Sequence, residues 1–307
     1  MGEASRSITL AGLLAHARQS LKQAGIEEAV LEARLLVEHF TQTDRTTALS
    51  APDRVVAEEQ VHAVAGALEE RTSGVPVHRI IGQRDFHGVT LRLSPETLDP
   101  RPDTEALVDL VLPALSRFAE NGSCRILDLG TGSGAIALAL LKELPFATAL
   151  GTDIQPGALE TAMANADLNG VGDRFDAKIS NWFEAVDGRF HAIVSNPPYI
   201  ASKEIETLSR EVREHDPLQA LDGGKDGLDA YRAIADEAAA FLTPNGVVAI
   251  EIGHDQREAV TALFHGRGFS SAGQASDLAG RDRALMFLPE HLGAPQQKRL
   301  GNRIDCR

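Results

Sequence analysis

Leu10, Leu13, Leu14, Ala17, Leu21 and Ala24 recur at steps of three and four, the spacing of one helix face. Gly25 is placed to stop that helix. A second helix is expected over Glu27–Phe40, with Leu31, Leu35 and Phe40 turned inward. A third is expected over Asp53–Arg71, with Ala57, Val61, Val64 and Leu68 inward, ended by the Thr72–Pro76 break. Residues 1–85 therefore read as a small helical domain. Phe86–Leu93 alternates as a strand does, and Pro95, Pro100 and Pro102 punctuate the next stretch, so 86–105 reads as a hairpin or linker.

A helix resumes over Thr104–Phe118, and from Arg125 the pattern changes. Short apolar strands at Arg125–Leu129, Thr148–Thr152, Phe175–Ile179, His191–Ser195 and Gly246–Ile252 alternate with helices at Ala135–Glu143, Gly157–Asn169, Ala230–Leu242 and Gln256–Arg267. Two more strands follow near Phe269–Gln274 and Ala284–Leu288. Such alternation predicts a parallel sheet covered on both faces by helices, over 106–289. The rest, 290–307, is a polar tail.

Two loops carry the candidate chemistry. Gly130-Thr131-Gly132-Ser133-Gly134 leaves a strand and opens a helix. Glycines there let backbone amides approach a cofactor, and the helix N-terminus favours an anionic group. Asp153 ends the next strand, where a carboxylate accepts hydrogen bonds from ribose hydroxyls. Gly130, Gly132 and Ala135 also satisfy the dinucleotide fingerprint, so this loop alone leaves a nicotinamide dehydrogenase open. With the acidic Asp128 just before it, the loop resembles that of class I S-adenosylmethionine methyltransferases, in which an acidic residue precedes the glycines.

Asn196-Pro197-Pro198-Tyr199 follows directly on the strand His191–Ser195. The two prolines fix φ and offer no N–H, and Pro197 forces Asn196 out of the helical region. The result is a stiff loop at a strand end. The Asn196 side-chain oxygen and the Pro197 carbonyl can accept both hydrogens of one planar –NH2 group, with the Tyr199 ring packed behind it. An amide or base amino nitrogen has a delocalised lone pair and is a weak nucleophile. Two acceptors orient it toward a methyl donor and favour the positive charge that develops on nitrogen. No general base has to act before methyl transfer.

Asp128–Gly134 with Asn196–Tyr199 resembles the class I S-adenosylmethionine methyltransferases that modify amino nitrogens. Gly74-Val-Pro76, Ile81-Gly82, Phe86, Pro100–Glu105, Asn181-Trp182-Phe183, Glu214–Leu218, Leu221–Leu228 and Asp277–Arg283 narrow the resemblance to the peptide chain release factor glutamine methyltransferases, the PrmC/HemK family. It extends over about residues 10–288. It implies an N-terminal all-helical domain on a Rossmann-like, seven-stranded methyltransferase domain. It implies methyl transfer to N5 of the glutamine in a Gly-Gly-Gln loop of release factors, releasing S-adenosylhomocysteine. By the same resemblance Gly130, Thr131, Gly132, Ser133 and Gly134 line the cofactor, Asp153 holds its ribose and Trp182 lies against its adenine. Asn196, Pro197, Pro198 and Tyr199 grip the substrate amide, and Arg101 and Glu105 shape the pocket mouth. Two positions depart from the family pattern: Asn181 stands where an aspartate is frequent, and Arg79 where an aromatic residue is.

Composition trims the field. Lys and Arg number 30 against 44 Asp and Glu, a net charge of −14 with no basic stripe. That disfavours a nucleic-acid substrate and suits a basic protein partner. No apolar run reaches the roughly 18 residues of a membrane span, and no leader pattern opens the chain. Cys124 and Cys306 are too far apart for a disulfide framework or zinc spacing, and the ten histidines show no metal-ligand pattern, so a cytoplasmic protein without metal is expected. Asp222–Gly227 reads as a flexible loop and a candidate lid. Remaining alternatives are a glutamine methyltransferase of a ribosomal protein, a nucleic-acid adenine or guanine amino methyltransferase, and a cofactor-binding protein without catalysis.

Overall fold

The computed structural model describes residues 8–118 and 122–290. The sequence readings on 291–307, including Cys306, lie outside them. The first helix, α1 (Leu10–Gln23), is capped by Thr9, whose hydroxyl accepts the Gly12 N–H at 3.2 Å. It buries Leu10, Leu13, Leu14, Ala17 and Leu21 against α2 (Ala29–Thr41) and α4 (Glu58–Ser73). Two short helices join them. Asp44 accepts the Thr47 N–H and starts α3 (Arg45–Ser50), and α5 (Val77–Ile81) begins straight after Pro76 and stops at Gly82.

The second helix is phased differently from expectation. Its buried face is Ala29, Ala33, Leu36, Val37 and Thr41, while Leu31 is exposed and Leu35 and Phe40 are only half-buried. The helix is apolar on more than one side, and the face with the small Ala33 is the one that approaches α1 closely. Ala24 and Ala57 are exposed helix ends rather than core.

A hairpin stands at the start of the stretch read as hairpin or linker, shifted to β1 (Gln83–Phe86) and β2 (Val89–Arg92). His87 and Gly88 both have positive φ, 40° and 77°, the two-residue turn whose twist matches paired strands. The outer edge of β2 would leave bare backbone groups. Helix α8 (Pro156–Leu168) and the residue after it cover that edge with amides. Asn165, fully buried, accepts the Arg92 N–H at 2.8 Å and donates to the carbonyls of Arg92 and Ser133. One turn on, Asn169 exchanges the same pair of hydrogen bonds with Thr90. The two side chains act as a substitute strand, and they tie the hairpin to the glycine loop.

After α6 (Glu105–Ser116) come β3 (Cys124–Leu129), α7 (Ala135–Glu143), β4 (Ala147–Asp153), β5 (Phe175–Ile179) and β6 (Phe190–Ser195). The short α9 (Arg210–His215) and α10 (Leu218–Leu221) lead to α11 (Asp229–Glu237), β7 (Leu242–Glu251), α12 (Arg257–His265), β8 (Phe269–Ser276) and β9 (Asp282–Pro289). The seven strands order β5-β4-β3-β6-β7-β9-β8. The first five run parallel, and β9 inserts antiparallel between β7 and β8. One face of the sheet packs on α6, α7 and the hairpin, the other on α11 and α12. The helix expected to reach Leu242 ends earlier, passing through a tight 3-10 turn at Ala238–Phe241.

The helical region and the sheet region are joined by ion pairs. Arg71, 4% exposed, pairs with Glu32 and, at 2.7 Å, with Glu211. Asp216 receives Arg79 at 3.1 Å and Arg101 at 2.5 Å. Replacing Asn165 by Leu removes all three of its bonds and leaves buried backbone groups without partners. We expect a loss of about 2–4 kcal/mol, read as a lowered denaturant midpoint at unchanged m-value.

Candidate active site

Strand register places the candidate residues side by side. Leu129 of β3 pairs with Thr152 of β4 and with Ser195 of β6, and Ser195 pairs with Ile250 of β7. Gly130, Asp153, Asn196 and Glu251 therefore leave four neighbouring strands at one level, about 4.8 Å from strand to strand. This is the carboxyl edge of the sheet, next to the point where strand order reverses. A cleft opens there. Its walls include Gly130–Ser133, Asp153–Gln155, Ser180–Trp182, Asn196 and Pro198, with Thr104 on one side and Pro217, Gln219 and Ala220 on the other.

The glycine loop is held from below. Asp128 is fully buried, and its Oδ2 accepts the Thr131 hydroxyl at 2.8 Å and the Ala137 N–H at 3.3 Å. One bond fixes the loop, and the other satisfies a free amide in the first turn of α7. Gly130 and Gly132 have φ of 67° and 55°, a region that penalises a side chain. Asp153 pulls the loop toward β4: its Oδ2 accepts the Gly132 N–H at 3.0 Å, its Oδ1 the Gln155 N–H at 2.9 Å. Each oxygen keeps a second acceptor position beside the cleft. Burial raises the carboxyls of Asp128 and Asp153, Asp128 to about 7.

Asn196 sits with its amide nitrogen 3.3 Å from the hydroxyl of Thr104, to which it donates. Among the described residues, neither the Asn196 side-chain oxygen nor the Pro197 carbonyl takes a hydrogen bond from the protein. Asn196 and Pro198 line the cleft, whereas Pro197 is buried in the loop. Tyr199 is half-buried, and its hydroxyl points back from the cleft toward Glu251, 3.5 Å away. Burial pushes that hydroxyl up to about 12, so it stays a neutral donor.

The loop at Asp222–Gly227 is a buttress, not a free lid. Its Gly223 N–H donates to the Ile200 carbonyl at 2.8 Å. A Cβ on Gly223 would stand 2.8 Å from the Pro198 carbonyl oxygen, and one on Gly227 would overlap that of Tyr199. Gln256 ties the layers together by donating to the Tyr199 carbonyl at 2.9 Å and the Gly227 carbonyl at 3.3 Å. Glycine-rich composition signals backbone freedom, but the partner it makes room for lies far away in sequence.

Trp182 is half-buried in the cleft wall with φ of 49°, a costly conformation for an aromatic residue, held by the Ser180 hydroxyl donating to its carbonyl. Arg101 and Glu105 are not paired with each other. Arg101 is bound to Asp216, beside the cleft residue Pro217, and Glu105 accepts the His87 N–H at 2.9 Å, away from the cleft. Thr104, between them, is the residue of that segment that reaches the cleft and Asn196.

Residues 12–82 match the family model of the PrmC N-terminal domain, and residues 109–214 that of the methyltransferase small domain. The chain is 51% identical to the release factor glutamine methyltransferase of Agrobacterium fabrum over 280 residues, which is 91% of this chain and 97% of that one. Likewise it is 40% identical to the protein of that name from Caulobacter vibrioides, over 94% and 99% of the two chains. The chain belongs to the release factor glutamine methyltransferase family. Members of this family are methyltransferases, and the seven-stranded sheet accords with that. A solved structure of the hMettl16 catalytic domain, in complex with the MAT2A 3'UTR hairpin 6, superposes with a TM-score of 0.51 at 14% identity. It covers 75% of this chain and 81% of that one, a likeness of fold alone.

S-adenosylmethionine is the methyl donor such domains use, and the residues present fit it. Asp153 has spare acceptor positions for hydroxyls, Trp182 and Ile154 offer apolar wall, and the glycine loop presents bare backbone. The residues that sequence reasoning misses are Thr104, Asn165, Gln256 and Glu251. Each works through a partner distant in sequence, for which local pattern carries no signal.

Gly227→Ala should displace the Tyr199 carbonyl. Turnover falls at least about tenfold while cofactor affinity, measured by calorimetry, stays close to wild type. Asp128 and Glu251 both hold raised carboxyl pKa values of about 7. A carboxyl raised in the folded state stabilises folding while protonated, so the unliganded protein should lose stability as pH climbs from about 4 to about 7. Asp128→Asn should remove part of that slope from a plot of melting temperature against pH.

Proposed function

We propose that the chain transfers the methyl group of S-adenosylmethionine to the side-chain amide nitrogen of a glutamine, the one in the Gly-Gly-Gln loop of peptide chain release factors. S-adenosylhomocysteine would be the by-product. The observation that carries this is the pair of unused acceptors, the Asn196 side-chain oxygen and the Pro197 carbonyl, in a proline-stiffened loop one strand from the glycine loop. The names of the relatives support the same substrate.

When bound, the cofactor supplies an electrophilic methyl group on a sulfonium. The chain's own residues supply the rest. Gly130, Thr131, Gly132, Ser133 and Gly134 bring the backbone up to the cofactor, Asp153 takes its hydroxyls and Trp182 covers its flat base. Asn196 and Pro197 accept the two amide hydrogens, which orients the nitrogen and favours the charge it gains. Pro198 walls the slot, and Tyr199, held by Glu251 and Gln256, keeps the loop in register. Arg101 shapes the rim through Asp216, and Glu105 anchors the turn of the hairpin. The nitrogen can shed its proton to water after transfer, so no buried base is required.

A net charge of −14 favours a basic protein surface as partner over nucleic acid. Among the described residues no helix is long and apolar enough to cross a membrane, and we read the setting as the cytoplasm. The test is methyl transfer from labelled S-adenosylmethionine to a purified release factor, beside the same factor with its loop glutamine changed to alanine. Label is expected on the first and absent from the second. Asn196→Ala should keep cofactor affinity within about threefold and lower turnover by about 100-fold or more. Label on both factors, or full turnover in Asn196→Ala, would sink the reading.

A further inference from the structure

Asn196 can serve a substrate –NH2 group only if its oxygen, not its nitrogen, faces the cleft. The two ends of an amide are alike in shape, so something must choose between them. The choice is made by Thr104, which is 3% exposed and receives the Asn196 nitrogen at 3.3 Å. A hydroxyl has one proton to give. If Thr104 donates it elsewhere, its oxygen can only accept from Asn196, and the amide is turned with its oxygen outward.

The other side of Thr104 is Glu251. This carboxylate ends β7 one position past the residue that pairs with Ser195, and is 1% exposed. Its Oε1 faces the Tyr199 hydroxyl, and its Oε2 is buried without a hydrogen-bond partner. Burial pushes its carboxyl up to about 7, and the Thr104 hydroxyl beside it works the other way, favouring the charged form. Arg283 of β9 favours the charge, while Asp103 opposes it. Nothing in the amide grip described above uses this group directly, yet burying it is costly.

We propose that Glu251 is a positioning residue that sets hydrogen-bond polarity in the acceptor site: in its ionised form it takes the Thr104 proton, commits Thr104 Oγ1 to accept from Asn196 Nδ2, and so fixes Asn196 Oδ1 toward the substrate amide. The same carboxylate holds the Tyr199 hydroxyl, so both ends of the gripping loop answer to one buried group. This rests on the reading that Asn196 accepts from the substrate amide.

The experiment measures kcat and KM for release-factor methylation, with cofactor affinity by calorimetry, in single and double variants. Glu251→Gln keeps the shape but can donate as well as accept. It should lower kcat about 10- to 100-fold with cofactor affinity within about twofold of wild type. Thr104→Val should do the same, and Thr104→Ser, which keeps the hydroxyl, should restore most of the rate. The decisive arm is Asn196→Asp. Beside Glu251 it makes two carboxylates compete for one Thr104 proton. In the Glu251→Gln background the chain of donors can reverse: the introduced amide donates to Thr104, and Thr104 donates to the introduced carboxylate. Asn196→Asp should therefore cost less in the Glu251→Gln background than in the wild-type one.

Losses that simply multiply, or full kcat in Glu251→Gln, would overturn the proposal. Asn196→Ala separates the two failures. If it abolishes turnover while Glu251→Gln does not, only the polarity role is lost. If Asn196→Ala itself keeps turnover, the acceptor reading beneath it is wrong.

Discussion

The level at which four strands end governs the rest of this structure. Parallel pairing of Leu129 with Thr152 and Ser195, and of Ser195 with Ile250, brings chain segments more than a hundred residues apart to one edge. A slip of one residue in any of these pairings would turn a strand's side chains to the opposite face. It would bury the Asn196 amide or lift Asp153 off the glycine loop. The register is protected because β3 and β6 are buried on both faces and sit in the middle of the sheet, where apolar residues on each side fix the phase.

On that edge, polar satisfaction replaces bulk packing as the means of precision. Asp128, Asn165 and Gln256 bond to two, three and four backbone or hydroxyl groups, and each holds a loop in place. Asp216 does this on a larger scale. By receiving Arg79 from the helical region and Arg101 from the linker, it ties both to the segment that closes the far wall of the cleft.

How much of this the sequence discloses depends on the range of the interaction. The strand Phe175–Ile179 and the helix Ala135–Glu143 match to the residue, because alternation of apolar and charged residues in the first, and an apolar run behind a glycine boundary in the second, are local signals. The phase of α2 is obscured since Val30, Leu31, Leu35 and Phe40 compete with the small residues that meet α1. The turn of the hairpin at His87-Gly88 is not located by the sequence because His carries little turn signal. The glycine loop and the Asn-Pro-Pro-Tyr element are plain. Their supports are not: Thr104 stands in the Arg-Pro-Asp-Thr-Glu segment between two charged residues that look more chemical, and Glu251 ends an apolar strand with nothing nearby to mark it.

The insertion of β9 between β7 and β8 bears on how the chain comes together. Most of the sheet can form as it is synthesised, strand by neighbouring strand. Among the described residues the last strand to appear is an interior one, hydrogen-bonded on both sides. Until Asp282–Pro289 arrives, β7 exposes an open edge and Glu251 lacks the guanidinium of Arg283. A nascent chain lacking those residues has the supports of the glycine loop, Asp128 and Asp153, but lacks Arg283 behind the Asn196 loop. Completion of the sheet's carboxyl edge therefore waits on a long-range pairing, and a chain ending short of β9 leaves a strand edge of β7 unpaired.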